Sequence, residues 1–216
     1  MCTFDDLLAR VLARAAEPGT SVIGITGPPG AGKSTLAEAL VTAARVHLGV
    51  DAVAHVPMDG FHLADVELRR LGRLDRKGAP DTFDVAGYAA LLRRIRTRTE
   101  VVYAPGFERD IEQPVAGSIP VFPGAAVVLT EGNYLLLDDS AWPAVAAAID
   151  EIWYCTIQDE VRVARLVARH ITFGKPADAA RRWVAEVDEP NARLVAGTAV
   201  RADLVVSADV VTPNSH

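Results

Sequence analysis

A three-layer α/β fold, with a central parallel sheet covered by helices on both faces, is predicted by two observations. Five short runs rich in β-branched residues recur along the chain: SVIGIT (21–26), DAVAHVPM (51–58), AAVVLT (125–130), EIWYCTI (151–157) and ADLVVS (202–207). They do not alternate polar with apolar residues, as a strand with one wet face would. Between them lie longer segments whose apolar residues recur at helical spacing. The 216 residues, half of them hydrophobic, are enough for one well-buried domain. That domain is expected to span 1–216, with a first helix at 3–16, a core at 21–206 and a lid at about 169–182.

Each element has its own signal. In TFDDLLARVLARAA, Phe4, Leu7, Leu8, Val11, Leu12 and Ala15 share a helical face, Thr3 is placed to cap it, and EPGT ends it. A second helix runs from the end of the first glycine-rich stretch to Leu48 and stops at Gly49. A third is expected around 85–96, capped by Asp84, a fourth near 141–149, and another from about Asp159. The stretches 73–80 and 105–124 are rich in Gly and Pro and are read as surface loops. Trp142, Trp153 and Trp183 fall on apolar patterns and are read as core, as is Cys155.

Composition excludes several classes. A net charge of −6 gives no general attraction to nucleic acid or to an anionic membrane. The locally basic RRLGRLDRK (69–77) and the region 162–182 suit a small anionic ligand. No apolar run approaches the roughly 20 residues that span a bilayer, and the N-terminus is acidic where a secretory signal is basic, so a cytoplasmic location is expected. Cys2 and Cys155 have no CxxC partner, which supports neither a disulfide framework nor a zinc site.

The strongest chemical signal is GPPGAGKST (27–35), which follows a strand and opens a helix whose apolar face is Leu36, Ala37, Leu40, Val41 and Ala44. Gly27, Gly30 and Gly32 allow backbone conformations in which successive N–H groups, including those of Ala31, Ser34 and Thr35, surround a polyphosphate at a helix N-terminus. Lys33 adds a full charge, and the Ser34 hydroxyl can ligate Mg2+. This is a P-loop, and the expected ligands are ATP and Mg2+. The chain has neither the NKxD-type motif of a guanine-specific switch nor the LSGGQ-type signature of a transporter ATPase. The run AVVLTEGNYLLL (126–137) delivers Glu131 to the carboxyl end of a strand, where it can hold Mg2+ through water.

Further stretches, PMDGFH, RKGAPDTFD, YAPGFERDIEQP, RLVARH and DEPNARLV, complete an ordered set. With GITGPPGAGKST and LTEGNYLLL, they extend from about residue 21 to 206. In this set the chain resembles the P-loop small-molecule kinases that include uridine kinase, phosphoribulokinase and type I pantothenate kinase. It is especially similar to the nucleoside/nucleotide-kinase-like proteins labelled fructose transport system kinases. The resemblance implies a sheet order of 2-3-1-4-5, a helical lid, and an aspartate beside the acceptor hydroxyl, a position matched by Asp59. It places His62 against substrate and brings a loop with Arg76 and Lys77 over the acceptor, while Tyr103 and Arg109 are candidates to reach it. Arg162, Arg165 and Arg169 share a helix face, and the sequel RHITFGKPAD resembles the kinase lid, so Arg169, and next Arg165, are expected at the phosphates. His170 is read as structural.

The expected activity is transfer of the ATP γ-phosphate to a hydroxyl of a small polar metabolite, a nucleoside or sugar first and a pantothenate-like acid second. The expected partner is that small molecule alone, with a homodimer possible in view of the relatives. A regulator that binds ATP without turning it over is the alternative of another class.

Overall fold

The structure is a computed structural model that describes residues 2–211. Helix α1 (Phe4–Ala15) begins with a reciprocal cap. Thr3 Oγ1 accepts from the Asp6 N–H at 3.2 Å, and the Asp6 carboxylate accepts from the Thr3 N–H at 2.8 Å. Its Leu7 and Val11 are fully buried on the sheet. Strand β1 (Ser21–Thr26), helix α2 (Lys33–Leu48) and strand β2 (Val53–Pro57) follow at the expected places. Next come the short α3 (Asp65–Leu71), which was not expected, and α4 (Val85–Ile95). The Asp84 carboxylate caps α4 by accepting from the Gly87 N–H at 2.8 Å.

Residues 105–124, expected as loop, instead form most of an antiparallel hairpin of β3 (Val102–Glu108) and β4 (Gln113–Val121). Strand β5 (Val127–Glu131), α5 (Trp142–Ala146) and β6 (Glu151–Thr156) come next. They are followed by α6 (Asp159–Thr172), α7 (Ala177–Trp183), a turn of π-helix (Val184–Asp188), α8 (Glu189–Ala196) and β7 (Leu204–Ser207).

The main sheet is five-stranded and parallel in the order β2-β5-β1-β6-β7. The numerals depart from 2-3-1-4-5 because the unexpected hairpin takes two strand numbers. Counted over the sheet strands alone, the order is 2-3-1-4-5. Neighbouring residues of one strand feed opposite cores: Val22 packs under α4, α5 and the hairpin, whereas Ile23 packs under α1 and α2. Both faces are dry, which is why the strands read as unbroken apolar runs. Trp142 lies in the first core and Trp153 in the second, and both are buried as expected. Glu151 ties α1 to the sheet: buried at the start of β6, its carboxylate accepts from Arg10, from Arg14 at 3.0 Å and from the Trp153 indole N–H at 2.6 Å. No helix among the described residues is long and apolar enough to cross a membrane.

Candidate active site

In open parallel sheets, ligands bind beyond the carboxyl ends of the strands, where the order of connection reverses. Here three adjacent strands end in chemistry. β5 lies between β1 and β2, with Glu131 in register with Ile25 on one side and Pro57 on the other. The glycine loop leaves β1, Glu131 closes β5, and Asp59 sits two residues past β2. All three border one cavity of about 340 Å3, within the range of small-molecule sites.

The loop is built to keep its amides inward. Gly27 has φ of +146°, and a Cβ there would lie 2.5 Å from the Cys155 carbonyl oxygen, so no other residue fits. Gly30 and Gly32 also have positive φ. Ala31 is buried and its carbonyl accepts from the Cys155 thiol at 3.2 Å, which fastens the loop to β6. Burial pushes that thiol up to about 11, so Cys155 is an inert packing group. Lys33 is buried and donates to the Pro28 carbonyl at 3.0 Å. Its ammonium is depressed by burial, against which the Glu131 charge is the main opposing influence. Thr35, on the same helix, is exposed and does not border the cavity.

The turn after β2 takes its shape from the hairpin. Met58–Phe61 form a single tight turn, and a Cβ on Gly60 would lie 2.1 Å from the Pro105 carbonyl oxygen, so only glycine lets the two backbones meet. This turn aims Asp59 into the cavity, where Arg109 from the hairpin tip donates to it at 3.0 Å. Burial pushes the Asp59 carboxyl up, but the surrounding charges of His62, Arg109, Arg169 and Lys33 outweigh it and hold the group below the usual carboxylate range. His62 itself is depressed by burial, so at neutral pH the guanidinium and ammonium groups carry most of that field.

The His62 ring lies against Phe83 and Phe107, with centroids 4.1 and 4.9 Å away. Its Nδ1 is 2.8 Å from the Asp59 carbonyl, an oxygen that can only accept. The neutral ring therefore carries its proton on Nδ1 and presents Nε2 as a bare acceptor.

Glu131 is buried next to a second carboxylate. Burial, and then the Asp59 charge, push it up to about 7, while Lys33 and the Ser34 hydroxyl pull the other way. Two converging carboxyl groups, one of them reluctant to ionise, leave a local demand for positive charge. Among the described residues no group of three or more His, Cys, Asp or Glu forms a protein cage for a metal. Mg2+ suits such a place, because it keeps several waters and takes only one or two protein ligands beside substrate phosphates.

Of the other expected site residues, Lys77 and Arg169 border the cavity. Lys77 is held by Asp65 at 2.6 Å and by the Glu112 carbonyl, over the Phe107 ring. Three others do not border the cavity. Tyr103 does not border the cavity: strand alternation buries Val102 and Ala104 and turns Tyr103 outward, 60% exposed. Arg76 also lies outside it, paired across its own loop with Asp81 at 2.5 Å. Arg165 is exposed beside Gly32 and does not line the cavity.

The arginine row on α6 is split as well. Arg162 is buried, pairs with Asp159 of its own helix at 2.9 Å, and ties α6 to α8 through Glu189 at 2.6 Å. Trp183, read as core, is a half-buried cavity wall with Lys175 over its ring at 4.7 Å. His170 also borders the cavity. Phe83, Phe107, Asp188 and Asn191 also line the wall without having been singled out from sequence; for the last two the signal was the stretch DEPNARLV itself.

Residues 3–60 match the family of methylmalonyl-CoA mutase-associated GTPase MeaB, a segment that runs from α1 through the phosphate loop to the Asp59 turn. A provisionally named uridine kinase of Schizosaccharomyces pombe is 34% identical over 177 residues, covering 80% of this chain and 75% of that protein. An ATP-dependent kinase-like protein, notR', of Aspergillus versicolor is 37% identical over 131 residues, 57% of this chain and 76% of the relative. Among solved structures, a provisionally assigned fructose transport system kinase of Silicibacter sp. TM1040 superposes with a TM-score of 0.85 at 36% identity, covering 94% of this chain and 98% of that one.

Proposed function

This chain belongs to the P-loop kinases of the uridine kinase and fructose transport system kinase type, and from that premise we propose that it transfers the ATP γ-phosphate to a hydroxyl of a small polar metabolite, a nucleoside or sugar before a pantothenate-like acid. The observation that carries the reading is that Lys33, Glu131 and Asp59, from three adjacent strand ends, face one cavity. An ATP-binding regulator has no need of a carboxylate held ionised beside its phosphate loop.

The loop amides and Lys33 bind the phosphates. Asp59, kept anionic and oriented by Arg109, accepts the proton of the acceptor hydroxyl as its oxygen bonds to the terminal phosphorus and the bond to the ADP oxygen breaks. His62 Nε2 is placed to accept from a second hydroxyl. Arg169, whose charge acts on both Lys33 and Asp59, lies where it can neutralise the phosphoryl group in transit and close the lid against water. Ser34 and Glu131 would hold Mg2+, which when bound offsets the charge of the phosphate oxygens. Glu131→Gln is therefore expected to raise the Mg2+ concentration for half-maximal turnover about tenfold or more. A Mg2+ titration that superposes on the wild type would remove Glu131 from the metal.

The direct test incubates the full chain with MgATP and a metabolite extract and reads new phosphorylated products by mass spectrometry. At least one product that depends on Asp59 is expected. Tight ATP binding with no product from any extract would favour the regulator.

A further inference from the structure

DEPNARLV took part in the family resemblance, yet nothing in it acts in the transfer step. The π-helical turn Val184–Asp188 hands the chain directly to α8, and such turns are frequent at functional sites because they re-aim side chains. Here it brings Asp188 and Asn191 to the cavity wall, only 7% and 8% exposed. They stand three residues apart, so their polar ends are neighbours.

Asp188 Oδ2 lies 2.8 Å from His170 Nε2, which leaves Oδ1 outside that bond. Asn191 as a residue is more than nine-tenths buried, and its amide has no hydrogen-bond partner among the described residues. The amide is not one of the enclosed polar groups left without a partner, so its open part faces the cavity, where it can meet a ligand.

Two further facts place the pair on the acceptor side of the cavity. A phosphate has no proton to give Asp188 and is repelled by its charge. In addition, the Tyr134 phenol, pushed up by burial first, also feels Asp188, and its hydroxyl donates at 2.5 Å to the carbonyl of Gly78, next to Lys77 in the loop expected over the acceptor. A carboxylate oxygen accepts only, whereas an amide both donates and accepts. Two adjacent hydroxyls fit this set, one donating to Asp188 and the other accepting from the Asn191 N–H.

Resting on the kinase reading above, we propose that Asp188 and Asn191 bind two adjacent hydroxyls of the acceptor, so that the acceptor class is a vicinal diol such as a furanose or an open polyol. The test assays the full chain with MgATP against a panel of D-ribose, D-fructose and uridine, with pantothenate, which lacks adjacent hydroxyls, beside them. At least one diol is expected to be phosphorylated. Replacing one of its paired hydroxyls by hydrogen should lower kcat/KM about 10²-fold or more, a substrate-side result that does not depend on a variant folding. Asn191→Ala should raise the acceptor KM to match and leave the KM for ATP unchanged. The proposal is overturned if no diol is accepted, if pantothenate is used as well as the best diol, or if the variant alters the KM for ATP and not that for the acceptor. Any of these leaves the kinase reading intact as long as the extract screen yields a product; failure of that screen as well would remove both.

Discussion

Asp59→Asn is expected to lower turnover about 10²- to 10⁴-fold, the range for loss of a positioned acid or base, with ATP affinity unchanged. The substitution keeps the shape of the side chain and removes its charge and its ability to take a proton. The Met58–Phe61 turn should survive, because its shape comes from the backbone contact of Gly60 with Pro105 and the packing of Met58 and Phe61, both buried. What changes is the partnership with Arg109, which would then lack its 3.0 Å carboxylate acceptor. Because phosphoryl transfer has a loose transition state, much of the loss comes from orientation of the hydroxyl and less from basicity alone. Steady-state kinetics with the acceptor found by the extract screen, together with equilibrium binding of a fluorescent ATP analogue, separate the two effects. Wild-type turnover in the variant would take Asp59 out of the mechanism.

Lys33→Ala is expected to lower kcat/KM for ATP about 10²- to 10³-fold, the usual consequence of removing one charged donor from a preorganised phosphate site. The thermal midpoint supplies an independent check. Burial works against the Lys33 ammonium, and among the described residues its hydrogen bond goes only to the Pro28 carbonyl, so keeping it there lowers the stability of the fold. The variant should melt at the same temperature as the wild type or higher while losing activity. A drop in both together would mean that Lys33 supports the loop and not the phosphates.

The phosphate loop was legible because its chemistry needs consecutive residues: three glycines, a lysine and a hydroxyl leave a contiguous trace. Glu131 was legible because it closes an apolar strand, and Asp59 through the resemblance that PMDGFH carries. The hairpin was not. Pro105, Gly106, Pro114, Gly117 and Pro120 read as loop, yet a ribbon of two strands consists only of edges, where proline costs no central ladder bond. Arg109 meets Asp59 across fifty positions, and no local pattern records such a contact. Helical spacing told that Trp183 faces inward without telling whether inward meant packed core or cavity wall. Arg162 shows the converse error: a charge row at spacings of three and four suggested one shared face, and the structure buries its first member between two carboxylates.

The meeting of Gly60 with Pro105 has a consequence for engineering. The ribbon base is keyed to the proton-accepting turn with no slack and Arg109 holds Asp59, whereas the far end at 110–112 is exposed and meets the pocket mouth through Glu112. Grafts confined to that far end can retune which alcohol is admitted, while any graft that reaches the proline unseats the general base along with the selectivity.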